Sequence, residues 1–231
     1  MPRTNNHTRI VVFARAPQPG RVKTRLIPVL GKSGAASLHA RLIERTLGMA
    51  RDSAVGALEL HGAPADDDYL RRCAERYDAQ LVEQAPGDLG ERMRSAFERV
   101  LQKSGCVILI GTDCPALTPR HLREAALALE KGEDAVLTPV EDGGYALIGL
   151  RRSDAQLFQG IEWGTSGVAA ATRTRLHALG WRWSELETQW DVDRPADYQR
   201  LMTSGLIDAE DLPRNTTEPA LSDQSPLKTS G

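Results

Sequence analysis

Apolar residues recur along this chain in two rhythms that take turns. Short runs rich in β-branched residues read as strands, at 9–14, 55–60, 79–83, 106–110, 135–140, 145–150 and 181–186. Between them lie stretches with apolar positions three or four apart, which read as helices. Leu38, Leu42 and Leu47 mark one over roughly 33–53, and 66–77 reads as a charged helix. Leu89, Met93, Phe97 and Val100 mark another over about 88–103. Thr118-Pro119 supplies an N-cap and a first-turn proline for the next. Further helices are expected over 167–179 and from Pro195 onward.

Strands alternating with helices predict an α/β protein with a mostly parallel sheet and helices on both faces. The run Cys106-Val-Ile-Leu-Ile110 is apolar throughout and is expected at the sheet centre. Residues 134–150 break the rule. Their two strands are joined only by Glu141-Asp-Gly-Gly144, too short for a parallel crossover, so the sheet is expected to be mixed. There is no internal repeat. One domain is expected over 9–208, after a flexible N-terminus at 1–8. From about Asp211 the chain is polar, and 211–231 reads as a disordered tail.

The chain has 231 residues and a net charge of -2, which excludes the broad basic field of a nucleic-acid binder. Three scattered cysteines form no disulfide framework and no CxxC pair, which fits a reducing cytoplasm. The first residues lack the apolar core of a signal peptide, and no apolar run reaches the ~20 residues a membrane span needs. The expectation is a cytoplasmic protein with neither membrane nor nucleic-acid partner.

Chemistry concentrates at strand ends. The first strand runs into Arg15-Ala-Pro-Gln-Pro-Gly-Arg-Val-Lys-Thr-Arg25, with four cations in eleven residues. Open α/β sheets bind ligands at the carboxyl ends of their strands, and cations there favour a phosphate chain. Gly111-Thr-Asp-Cys-Pro115 follows the central strand, which puts Asp113 beside the same crevice. A carboxylate there suits Mg²⁺, which is held by one or two carboxylates plus substrate phosphates. Asp191 and Asp193 share a face in extended backbone, and Asp193 is either a second metal ligand or the cap of the last helix. Asp142-Gly143-Gly144 is either a hairpin turn or a close approach to substrate. Thr165 and Ser166 either cap a helix or leave its N–H groups for an anion. Asp88 reads as a cap. No P-loop, dinucleotide fingerprint, zinc spacing or Gly-x-Ser-x-Gly is present.

Five segments together resemble the DUF2064 family. They are Phe13 to Leu26, Gly87-Asp-Leu-Gly-Glu-Arg-Met93, Gly111-Thr-Asp-Cys-Pro115, Asp142-Gly-Gly-Tyr145 and Asp191-Val-Asp-Arg-Pro195. These are glycosyltransferase-like proteins of the nucleotide-diphospho-sugar transferase superfamily, related to phospholactate guanylyltransferase. The resemblance covers about residues 9–203. It implies a single GT-A, Rossmann-like domain. It implies that Lys23, Arg25, Arg15 and Gly20 bind nucleotide phosphates, with Thr112 beside them. It also implies that Asp113 and Asp193 share Mg²⁺ or Mn²⁺. Lys23 and Asp113 are the implied catalytic pair, and Asp142, Gly143, Gly144 and Thr165 the implied substrate contacts. Arg194 stands where related chains carry threonine, and the first loop lacks their Gly-Gly start.

Three functions follow. The first is transfer of a glycosyl group from a nucleotide-sugar to a small-molecule acceptor. The second is nucleotidyl transfer from a nucleoside triphosphate to a phosphorylated or acidic small molecule, with release of pyrophosphate. The third is nucleotide binding without catalysis.

Overall fold

The most apolar segment of the chain lies at the centre of the sheet. In the computed structural model, which describes residues 8–208 and Pro213, the strand Cys106–Ile110 is buried at every position. Residues 1–7, and the expected polar tail apart from Pro213, lie outside the described residues. The strands are β1 (Thr8–Arg15), β2 (Gly56–Ala63), β3 (Ala79–Glu83), β4 (Cys106–Ile110), β5 (Ala135–Pro139), β6 (Tyr145–Leu150) and β7 (Trp183–Glu185). They form one sheet in the order β3-β2-β1-β4-β6-β5-β7. β6 runs antiparallel to both its neighbours, β4 and β5, as the short 141–144 connection requires. The other pairings are parallel.

The helices are α1 (Ile27–Asp52), α2 (Asp68–Arg76), α3 (Leu89–Leu101), α4 (Pro119–Glu130), α5 (Val168–Ala178) and α6 (Pro195–Ser204). Strand alternation decides which helices meet which face. Ile10, Val12 and Ala14 of β1 point into a core with α1, α2 and α4. Val11 points the other way, into a core with Met93, Phe97 and Val100 of α3 and Leu176 of α5. A third cluster packs Leu38 and Leu42 of α1 against Val192, Tyr198 and Leu201. That cluster fixes the last helix and the segment leading into it.

Local signals explain most boundaries. The Asp67 carboxylate accepts from the N–H groups of Tyr69 and Leu70 and starts α2. Asp88 and Glu91 form a reciprocal capping box at α3, each accepting at 2.9 Å. The first helix begins earlier than its periodicity predicts, at Ile27, because a short turn is added before a kink at Gly31 (φ 68°, ψ 171°). Two 3-10 turns, Thr24–Leu26 and Ala155–Leu157, carry no periodic signal and were not expected. The last strand is shorter than 181–186. Among the described residues no helix is long and apolar enough to cross a membrane.

The α3 face of β2 holds a buried polar cluster. Glu59 accepts from Arg9 at 3.2 Å and Arg99 at 2.8 Å, and lies 3.1 Å from His61 Nε2. His61 stacks on Phe13 with centroids 5.5 Å apart. Burial pushes His61 below its ordinary value, and the Arg99 charge adds to that against the pull of Glu59.

Two predictions follow from this packing. An unfolded histidine takes up a proton below about pH 6.5, before the folded, depressed His61 does, so stability falls on acidification. Urea unfolding between pH 6.5 and 5 is expected to show a slope that His61→Gln reduces by up to about 1.4 kcal/mol per pH unit. An unchanged slope contradicts the assignment. Gly143 has φ 91°, and a Cβ there would lie 2.1 Å from the Ser166 carbonyl oxygen. Gly143→Ala is expected to cost about 1–3 kcal/mol in the same assay.

Candidate active site

β1 continues three residues past its last pairing with β4, where Val12 meets Ile110. The loop from Arg15 and the segment Gly111-Thr-Asp113 therefore leave the sheet side by side. They open into a cleft of about 690 Å³ at the carboxyl end of the parallel strands. This is the crevice expected of an open α/β sheet.

The first loop is drawn inward rather than left in solvent. Val22 and Leu26 are buried, and Lys23 between them takes a left-handed conformation (φ 47°, ψ 42°). Such a backbone is unfavourable for a side chain other than glycine or asparagine, so surrounding contacts must hold it. They are visible. The Lys23 side chain is 3% exposed, with Nζ 2.6 Å from Asp113 Oδ1. Nζ also donates to the Val192 carbonyl at 2.6 Å. The N–H of Val192 donates to the Asp113 carbonyl at 2.8 Å. One ammonium thus joins the first loop, the loop after β4 and the segment before α6. Desolvation in the cleft pushes the Asp113 carboxyl up, but the Lys23 ammonium overrides this and leaves it below its ordinary value.

A second ion pair lies alongside. Arg25 donates to Asp193 Oδ2. Asp193 is not the cap of α6. Asp197 takes that task, accepting from the N–H groups of Arg194 at 2.7 Å and Asp193 at 3.1 Å. The Asp193 side chain is left to face Arg25 and the cleft.

Of the residues singled out from sequence, Arg15, Lys23, Arg25, Thr112, Asp113, Asp142, Gly144, Thr165 and Asp193 line this one cleft. Gly20 and Gly143 do not line it. Gly20 is a turn residue against the Lys32 stem, and Gly143 makes its close approach to Ser166. Asp142 forms the turn that was one of its two readings, accepting from Gly144 N–H at 2.9 Å. The start of α5 is less open to an anion than its Gly-rich sequence suggests. The N–H groups of Val168 and Ala169 donate to the carbonyls of Thr165 and Gly143.

Two titratable groups, His39 and Asp191, stand out among the lining residues without an assigned role. His39 of α1 is buried and pairs through Nε2 with the Arg15 carbonyl at 3.1 Å, while Nδ1 has no partner among the described residues. Burial lowers its pKa, so it is neutral near pH 7. Its sequence signal is that of any polar residue in a helix. The Asp191 side chain makes no hydrogen bond or ion pair among the described residues. Burial, then the negative charge of Asp142, pushes its carboxyl up to about 6, with Asp113 and Asp193 adding to the effect. Lys23 and Arg25 pair with Asp113 and Asp193, while Asp142 and Asp191 make no ion pair among the described residues, which leaves carboxylate oxygens that suit a divalent cation. Among the described residues no three acidic, histidine or cysteine side chains form a complete cage. A metal here would need oxygens from a ligand, as Mg²⁺ with a phosphate chain does.

The fold matches known transferases. A Desulfovibrio desulfuricans G20 protein proposed to be a nucleotide-diphospho-sugar transferase is 29% identical, with a TM-score of 0.79 over 87% of this chain and 88% of that one. CMP:2-keto-3-deoxy-manno-octonic acid synthetase, complexed with CTP, is 15% identical, with a TM-score of 0.56 over 87% and 98%. Mycobacterium tuberculosis glucosyl-3-phosphoglycerate synthase, in complex with Mn²⁺, UDP and glucosyl-3-phosphoglycerate, is 14% identical, with a TM-score of 0.53 over 87% and 77%. The last two establish the GT-A-like fold alone. No curated protein matches the sequence significantly. Residues 46–165, just over half of the chain, match the model of the family described as uncharacterized protein conserved in bacteria, and the chain belongs to that family, DUF2064.

Proposed function

We propose that this protein is a metal-dependent transferase that moves a glycosyl group from a nucleotide-sugar to a small-molecule acceptor. The observation that carries the proposal is the pairing of loop cations with carboxylates, Lys23 with Asp113 and Arg25 with Asp193, at the mouth of one cleft. Asp113 and Asp193 would hold Mg²⁺ or Mn²⁺, which supplies Lewis-acid stabilisation of the departing nucleoside diphosphate. Lys23, Arg25 and Arg15 would neutralise the diphosphate oxygens, with Thr112 beside them. Lys23 and Asp113 are the proposed catalytic pair. The likeness to structures carrying CTP, and Mn²⁺ with UDP, supports a nucleotide and a divalent cation as ligands.

The choice of acceptor rests on charge. The part of the cleft lined by residues 140–168 contains Asp142, Tyr145, Trp163 and Thr165 and neither lysine nor arginine. A phosphorylated or acidic acceptor would meet no cation there, whereas an uncharged hydroxyl compound needs none. Asp142, Gly144 and Thr165 are the proposed acceptor contacts. The second reading, nucleotidyl transfer with release of pyrophosphate, is favoured by the cation-rich first loop and by the likeness to the CTP-bound synthetase.

A thermal-shift panel of nucleotide-sugars and nucleoside triphosphates, with and without Mg²⁺ or Mn²⁺, separates the two. A ligand at 100 times its Kd stabilises the native state by about 2.7 kcal/mol, which raises Tm by roughly 5–11 °C at this size. The expected result is a metal-dependent shift with one nucleotide-sugar, and turnover that releases nucleoside diphosphate. Shifts with a triphosphate and release of pyrophosphate would establish the second reading instead. No shift with either class would overturn both. Asp113→Asn, which keeps an oxygen for Lys23, is expected to lower turnover by about 10²–10³-fold while near-ultraviolet circular dichroism stays native. Undiminished metal-dependent turnover in that variant would refute the site.

A further inference from the structure

The two proposed metal-holding carboxylates are each already paired with a cation. Lys23 Nζ is on Asp113 Oδ1 and Arg25 is on Asp193 Oδ2. Both cations belong to the loop assigned to the phosphate chain. The buried Lys23 ammonium has no contact with solvent to fall back on, since its side chain is 3% exposed and its other partner is the Val192 carbonyl. Arg25 is 60% exposed on its side chain, so it is the more easily moved of the two.

From this geometry we infer that Lys23 and Arg25 are place-holders for the divalent cation, so that metal and phosphate chain enter the site as one unit. The inference rests on the reading of Asp113 and Asp193 as metal ligands. A free divalent cation approaching these carboxylates meets two positive charges at hydrogen-bonding distance from its ligands and is repelled. A free phosphate chain meets two of the four loop cations, Lys23 and Arg25, already occupied, and only Arg15 and Arg21 without an ion pair among the described residues. When the two arrive together the charges can trade places. Metal takes the carboxylates, and the released ammonium and guanidinium turn to the phosphates. No charge is left unpaired and no covalent bond changes. Because binding couplings are reciprocal, each ligand raises the affinity for the other by the same factor. The carboxylates left over, Asp191 and Asp142, have no such cation and do not set this order.

The test is isothermal titration calorimetry on the full chain. Mn²⁺ alone is titrated into the native protein, Arg25→Gln and Lys23→Met, and the Mn²⁺ complexes of UDP, GDP and CDP are then titrated into each. Removing a place-holder is expected to make Mn²⁺ alone bind at least about tenfold more tightly, because a like charge beside its ligands has gone. The same change is expected to weaken binding of the metal–nucleotide complex, because a phosphate partner has gone. Opposite signs are the signature, since a merely structural role would weaken both. Arg25→Gln alters an exposed side chain and keeps the test valid should Lys23→Met fail to fold. Metal-only affinity that is unchanged or reduced in Arg25→Gln overturns the inference. If the native protein then still binds a metal–nucleotide complex, the proposed function survives. If it binds none of the three, that proposal fails as well.

Discussion

Lys23 carries its charge to a place where 3% of its side chain meets solvent, and three loops converge on it. Burying an ammonium is tolerable only where acceptors replace water, and removing one partner leaves a costly charge behind. Here the replacements are one carboxylate oxygen of Asp113 and one carbonyl, Val192. Those contacts decide the path of the first loop, hold its left-handed residue, and set the distance between the segments that carry Asp113 and Asp193. The ion pair contributes to the fold only by organising the loops at the sheet edge. The sheet and its two cores would stand without it.

The rest of the architecture brings those loops to one place. Parallel β1 and β4 run out at the same edge of the sheet, so their trailing segments share a crevice. β6 reverses direction beside β4 and brings Asp142 and Tyr145 to the same end. The third core cluster packs Val192 against α1 and α6, which holds the acidic segment where Lys23 can reach it. A site built from loops that carry both signs of charge is thereby tied to packed elements at three points.

Much of this was legible in the sequence because periodicity and strand ends carry it. The apolar run 106–110 announces a central strand, and the brevity of 141–144 announces the reversed one. Asp113 could be placed beside the crevice because it follows that strand directly. What the sequence did not carry was side-chain pairing between distant segments. Lys23 and Val192 are 169 residues apart, and nothing local marks them as partners. Asp193 could be read as the cap of the last helix, and only geometry shows that Asp197 accepts from the N–H groups there instead. His39 looks like any polar helix residue until burial and the Arg15 carbonyl are seen. The Gly-Gly turn was ambiguous for a similar reason. Gly143 is required by the backbone of Ser166, a neighbour invisible in sequence.

Lys23 and Asp113 act as one unit, joined at 2.6 Å. A double-mutant cycle in urea unfolding, with Lys23→Met, Asp113→Ala and the double variant, measures that directly. The account predicts a coupling of roughly 1–3 kcal/mol, toward the lower end because the Asp113 carboxylate is 55% exposed. Additivity within about 0.5 kcal/mol would mean that the two side chains are neighbours without being partners, and would contradict it.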